Sequence, residues 1–282
     1  MGSTSRSQLQ ALRCRTSKGP LVTDRDDLNH FHEANDAIQR RAINDLNKFW
    51  ARLAKSDPKA VRAAMDLFVP QLIASYGELA AEAAARWYEE LRPADKKNFQ
   101  AELADPVSDD IIEADVAEAL GTSGAWDTEA VRGSLADAIR RQIFYMARAT
   151  VARNIAHDPK RPRFARVPRG AVTCAFCTML ASRGWVYYTA KTAGITRPWH
   201  RKCDCQIVPE WKRGNIHFAG YDPDKMFEQY AESVDAVGSS FDTKAILADM
   251  RRRHPEALTD GVVNMTTPSA MSRPPGMATG EP

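Results

Sequence analysis

The chain has 282 residues, 44% of them hydrophobic and 27% charged, with a net charge of +3. That is an ordinary globular balance, with room for one large domain or two small ones, and the weak charge makes no general case for nucleic-acid binding. No run of about 18 apolar residues offers a membrane span, and the opening MGSTSRSQLQALRCRTSKGPLVT lacks the apolar centre of a secretory signal. The protein is therefore expected in a reducing cytosol, where clustered cysteines favour metal or redox chemistry over structural disulfides.

Residues 1–26 read as a flexible leader carrying Cys14 alone. From there Ile38, Ala42, Leu46, Phe49, Trp50 and Leu53 recur three and four apart, which predicts one face of a first helix. Asp57 and Pro58 cap and open a second, expected to run to Leu91 with a stripe of Met65, Phe68, Leu72, Tyr76, Leu79, Ala83, Trp87 and Leu91. Pro70 should kink that helix or split it. Short helices fit 94–104 and 108–120. Thr128 opens a third long helix to about His157, with Val131, Leu135, Ile139, Ile143, Met146 and Thr150 on one face.

Residues 27–158 thus predict an antiparallel helical domain. The proline-punctuated KRPRFARVPRG reads as a basic linker over 159–170. Residues 171–258 hold the cysteine motifs, the β-prone WVYYTA, a strand near Gln206-Ile207-Val208 and two short helices near 222–236 and 242–253. Residues 259–282 have too few large apolar side chains to fold and read as a disordered tail. The expected fold is mainly α: a helical N-terminal domain, then a small α+β zinc-binding module, then the tail.

Four of the five cysteines lie in 174-CAFC-177 and 198-PWHRKCDC-205. The spacing is Cys174-x2-Cys177, then 22 residues, then His200-x2-Cys203-x-Cys205. Thiolate and imidazole are zinc's preferred ligands, and a structural site takes four in a tetrahedron. Such an ion would clip two distant pieces of a core-poor module together. Five candidates compete for four places: His200, or one cysteine of the Cys-x-Cys pair, is left over, and His200 fits a ligand or a hydrogen-bonded neighbour of the site. Cys203 and Cys205 are expected to reach one ion only where the backbone turns between them. Redox use of the CxxC pair and paired disulfides are the competing readings; a redox CxxC follows a strand and opens a helix in an α/β fold, a context the basic RVPRGAVT does not suggest.

A second feature is the run of basic residues through Arg153, Lys160, Arg161, Arg163, Arg166 and Arg169, with Asp158 the only acid among them. It reads either as a solvated helix face and linker, or as a strip that contacts packaged DNA or an acidic protein surface.

The arrangement C-x2-C … P-x-H-x2-C-x-C after a helical domain resembles the Mu F-like minor head proteins of tailed bacteriophages. The matching residues are Pro198-Trp199-His200-Arg201-Lys202-Cys203-Asp204-Cys205, and 174-CAFCTMLASRGWVYY-188 looks like the actinobacterial-phage version. The likeness covers about 165–211, a sixth of the chain. It implies a minor capsid protein of the virion head, assembled in the host cytoplasm. Such a protein would sit with the portal and assist head assembly and genome packaging or delivery. It also implies partners: the portal, with the major capsid or scaffold protein and packaged DNA as further ones, and no membrane.

No GxSxG, HExxH, GxxxxGK[ST] or GxGxxG occurs in the sequence. A nucleophile would have to come from the cluster, as His200 with Cys203 or Cys205, and a zinc-bound thiolate is poorly available for attack. An assembly protein is therefore the first expectation. A capsid maturation protease, a label given to proteins at this position in actinobacterial phages, is the second.

Overall fold

The computed structural model describes residues 26–53, 56–95, 99–121, 128–169, 172–188, 203, 205–212, 216 and 220–259. The expected leader and tail, and His200, lie outside these residues. The chain divides into two compact units, one of residues 27–154 and one from Ile155 onward. The described residues are mainly helical, and no helix among them is long and apolar enough to cross a membrane.

The first unit holds α1 (Asp26–Arg52), α2 (Pro58–Leu91), α3 (Asp109–Leu120) and α4 (Thr128–His157), whose last turn passes into the second unit. Phe31 stacks on Trp87 at 4.3 Å, and Phe49 stacks on Phe68 at 4.0 Å. The start of α1 therefore meets the end of α2 and the reverse, which makes the pair an antiparallel hairpin. Helix α2 runs unbroken through Pro70, against the expected split. Proline removes one N–H from the ladder, and the buried Val69, Leu72 and Ile73 beside it hold the helix in place.

The expected stripe on α2 buries Met65, Leu72 and Trp87 and is corrected at Leu79. Leu79 is 45% exposed, and the helix buries Gly77, Ala80, Ala81, Ala84 and Ala85 instead. Small residues let backbones approach closely: a Cβ at Gly77 would lie 3.1 Å from Met146 Cγ on α4. Helix α3 joins α4 through Asp115, which pairs with Arg141 at 2.6 Å and accepts a hydrogen bond from Gln142.

Residues 99–108 form no helix, against the expected helix over 94–104. Side chains on α2 and α4 satisfy the backbone of this segment. Glu89 Oε1 accepts from Ala101 N at 2.6 Å, and Thr150 Oγ1 from Ala104 N at 3.1 Å. Asn154 makes a reciprocal pair with Glu102, accepting from its N at 2.9 Å and donating to its O at 2.8 Å. Pro93 and Pro106 bracket the stretch and disfavour helix at the residues before them.

The second unit contains β1 (Arg163–Val167), β2 (Thr173–Cys174), α5 (Ala175–Ala181), β3 (Gln206–Glu210), α6 (Pro223–Val237), α7 (Thr243–Arg253) and β4 (Leu258–Thr259). β1 pairs antiparallel with β3, with Ala165 opposite Val208, and β2 pairs parallel with β4. Asp222 and Asp242 cap α6 and α7, and Gly238 ends α6 in a left-handed conformation. Ala175, Met179 and Leu180 of α5 pack with Phe227, Ala231 and Val234 of α6, and with Ile246, Leu247 and Met250 of α7. Of WVYYTA, Tyr187 alone makes a β-bridge among the described residues, to Phe164.

The expected linker over 159–170 is corrected: it contains β1, and all five residues of that strand are buried. The reason lies in its arginines. Arg163 donates to the carbonyls of Trp185 at 3.3 Å and Lys212 at 3.2 Å, and Arg166 donates to sulfur. Each guanidinium finds acceptors inside the unit, so the strand can be buried despite its charge.

Candidate metal centre

The centre is assembled from two short segments. β2 leads straight into α5 with Cys174 as its N-cap: Cys174 Sγ accepts from Cys177 N at 3.2 Å, so the CxxC pair wraps the helix start. Cys203 and Cys205 lie at the entry to β3. Three sulfurs close on one another: Cys177–Cys203 at 3.5 Å, Cys177–Cys205 at 3.6 Å and Cys203–Cys205 at 3.4 Å. Positions two apart on extended backbone share a face, so the Cys-x-Cys spacing does not by itself require the turn expected from the sequence.

These distances suit a metal. Four sulfurs about 2.3 Å from zinc stand roughly 3.8 Å from each other, so the three sulfurs outline one face of such a tetrahedron. Cys177, Cys203 and Cys205 could hold an ion. Three mutually adjacent sulfurs cannot all pair as disulfides. The strand-to-helix step at Cys174 does have the local form of a redox CxxC, but the Cys177 sulfur also meets two further thiols.

Burial and mutual hydrogen bonding raise the thiols' pKa values. A hydrogen bond with Cys174, then those with Cys203 and Cys205, push the Cys177 thiol up. Burial pushes the Cys205 thiol up to about 12. Without a metal these thiols hold their protons at neutral pH; a bound divalent ion is what would turn them into thiolates. Arg166 adds one positive charge beside them, with Nη2 2.8 Å from Cys205 Sγ and Nε 3.3 Å from it. Burial works against that charge and is outweighed by Cys205, Cys203 and Cys177, which raise its pKa. Tyr187 closes the site's flank, its hydroxyl donating to Leu180 O at 2.7 Å, and burial pushes its phenol up to about 12.

The other expected site residues scatter. Arg153 pairs with Glu102 at 2.9 Å and Asp105 at 3.3 Å in the first unit. Arg161 is exposed, and Lys160 and Arg169 are half-buried. Arg163 and Arg166 point inward, so the basic run is not one continuous surface strip. The role of Arg166 at the cluster was not read from sequence. A strand register would have pointed to it, and the basic run hid the strand.

A family model described as VG15 protein matches residues 22–233. The chain belongs to the VG15 family. It is also similar to the Gene 15 protein of Mycobacterium phage D29, with 30% identity over 121 aligned residues. That alignment covers 32% of this chain and 44% of the relative, so the chain spans less than half of that protein's length. No solved structure matches the fold. The family and the relative support a bacteriophage protein, and the VG15 match takes in α1–α5 and the whole cysteine cluster. The likeness to Mu F-like minor head proteins rests on the cysteine motif alone.

Proposed function

We propose that this VG15-family chain is a minor structural component of the phage head, associated with the portal, which assists head assembly and genome packaging or delivery. Its cysteine module folds around structural zinc. The observation that carries the reading is the triangle of Cys177, Cys203 and Cys205 sulfurs, inside a family match and a motif that both point to phage. Three sulfurs at near-tetrahedral spacing fit zinc, and Cys174 or His200 would complete the set. Zinc here would do no chemistry. It would fix the start of α5 against the entry to β3.

The portal is the primary partner in this reading, and the major capsid or scaffold protein a further one. Packaged DNA would have Lys160, Arg161 and Arg169 to meet. The head of the virion, assembled in the host cytoplasm, is the location. A capsid maturation protease built on these thiols is the weaker reading, because Cys177 and Cys205 are buried with raised thiol pKa and sit as ligands.

The test is quantitative peptide mass spectrometry on purified mature particles and on empty precursor heads. A few copies per particle, in constant ratio to the portal, is the expected result. Presence in precursors and absence from mature particles would overturn it in favour of a protease or a departing assembly factor.

A further inference from the structure

The sheet register decides what faces the sulfur cluster. In the antiparallel pair Arg166 stands opposite Ile207, and Cys205 lies two residues before Ile207. Directly opposed residues share a face, and so do positions two apart. Arg166 is therefore delivered to the side on which Cys205 carries its sulfur. Its Nη2 lies 2.8 Å and its Nε 3.3 Å from Cys205 Sγ, and Nη2 is 3.8 Å from Cys203 Sγ. Two donors of one planar fork thus converge on a single sulfur.

Arg166 is 2% exposed. A guanidinium does not give up its proton in proteins, so burying it calls for an anion nearby. Neutral thiols are not anions, and three bare thiolates about 3.5 Å apart would repel one another strongly. A divalent ion would make the sulfurs thiolates without that repulsion, and the assembly would keep a net negative charge within reach of the Arg166 N–H groups. Zinc leaves two negative charges with four thiolates, or one with three thiolates and a histidine. Arg166 cancels one of them in either case.

We infer that Arg166 is the counter-charge of the thiolate cluster. Its N–H groups hydrogen-bond the metal-bound sulfurs of Cys205 and Cys203, tightening metal retention and lowering the reactivity of those thiolates. This rests on the zinc reading above and adds to it. Ligands at metal sites are held and tuned by such outer partners, whose loss commonly weakens metal binding by about 10–100-fold.

The deciding experiment uses the full-length protein loaded with cadmium-113 in place of zinc. The expected result is a scalar coupling between cadmium and an Arg166 side-chain N–H proton, transmitted through the N–H···S bond, in a proton–cadmium correlation spectrum. Chelator competition with zinc then compares Arg166→Met and Arg166→Lys with wild type. Arg166→Met should weaken zinc retention by about 10–100-fold and speed alkylation of the bound thiolates, with Arg166→Lys recovering part of both. Bound cadmium with no coupling to Arg166, or Arg166→Met with wild-type affinity and alkylation rate, would overturn the inference and leave the metal site standing. Failure to bind any metal would remove the zinc reading as well. Should Arg166→Met not fold, the coupling in the unaltered protein decides alone.

Discussion

Removing the zinc proposed for the cysteine cluster is the sharpest perturbation of this structure. The sulfurs of Cys177, Cys203 and Cys205 lie 3.4–3.6 Å apart. At an effective dielectric constant near 20, two thiolates at that distance repel by about 5 kcal/mol. The metal-free cluster therefore takes up protons, and Arg166 no longer donates to anionic sulfur. Hydrogen bonds to a charged partner are worth about 1.5–3 kcal/mol each, and Arg166 directs two at Cys205. The two-stranded β1–β3 pair is marginal without outside support. Chelation should then open this pair by at least about 3 kcal/mol, more than a hundredfold in the opening equilibrium.

Hydrogen exchange with mass spectrometry reads this directly, with and without a strong chelator. Peptides covering 163–167 and 206–210 should lose protection, and re-adding zinc should restore it. Peptides from α1–α3 should keep theirs, since their packing draws on Phe31, Trp87, Phe49 and Phe68. Unchanged protection in β1 and β3, with metal analysis proving the ion gone, would refute the reasoning.

Three further outcomes test the helical unit. Asp115→Ala strands Arg141, its partner at 2.6 Å, and should cost about 3 kcal/mol in a denaturant titration; a loss below about 1 kcal/mol would show the pair to be no more than a surface ion pair. Gly77→Val drives side-chain atoms into Met146 and should cost about 1–3 kcal/mol, and Met146→Ala in the same protein should recover part of it, which a double-mutant cycle measures. Tyr76 donates to Asp45 Oδ2 at 2.7 Å, and this bond, followed by that from Lys48, holds the Asp45 carboxyl below its usual range. A depressed carboxyl stabilises the fold above its unfolded pKa and loses that contribution as pH falls through its folded value. Tyr76→Phe should therefore cost about 0.5 kcal/mol at neutral pH, a modest figure for a partly exposed pair, and the gap should close below about pH 4. A gap of unchanged size at every pH down to acid unfolding would assign the loss to packing.

The helices were legible because local signals agree there. Asp57-Pro58 and Asp222-Pro223 mark two starts, and the apolar spacing of Leu135, Ile139 and Ile143 marks α4. The cysteine triangle was legible because spacing alone brings CxxC and Cys-x-Cys forward. What stayed hidden depends on partners far along the chain. Residues 99–105 have helix-forming composition, but their backbone bonds go to Asn154 and Thr150, about fifty residues on. β1 reads as a basic linker because arginine is ordinarily solvated. Its acceptors, Cys205 and the Lys212 carbonyl, lie 39 and 49 residues away. Tertiary hydrogen bonding, not propensity, set both segments.

The placement of the cluster explains why this unit would use a metal at all. One apolar cluster of the unit joins α5, α6, α7 and Leu258, and Phe164, Ala165, Val167, Ile207 and Val208 of the β1–β3 ribbon are buried as well. Where the ribbon's entry meets the start of α5 lie the sulfurs of Cys177, Cys203 and Cys205, with Arg166 beside them. Cys177 belongs to the helix, while Cys203 and Cys205 belong to the ribbon's entry. Disulfides are reduced in a cytosol, whereas metal–thiolate bonds persist there. A zinc ion here would therefore tie the start of α5 to the entry of β3 in addition to the apolar packing around them.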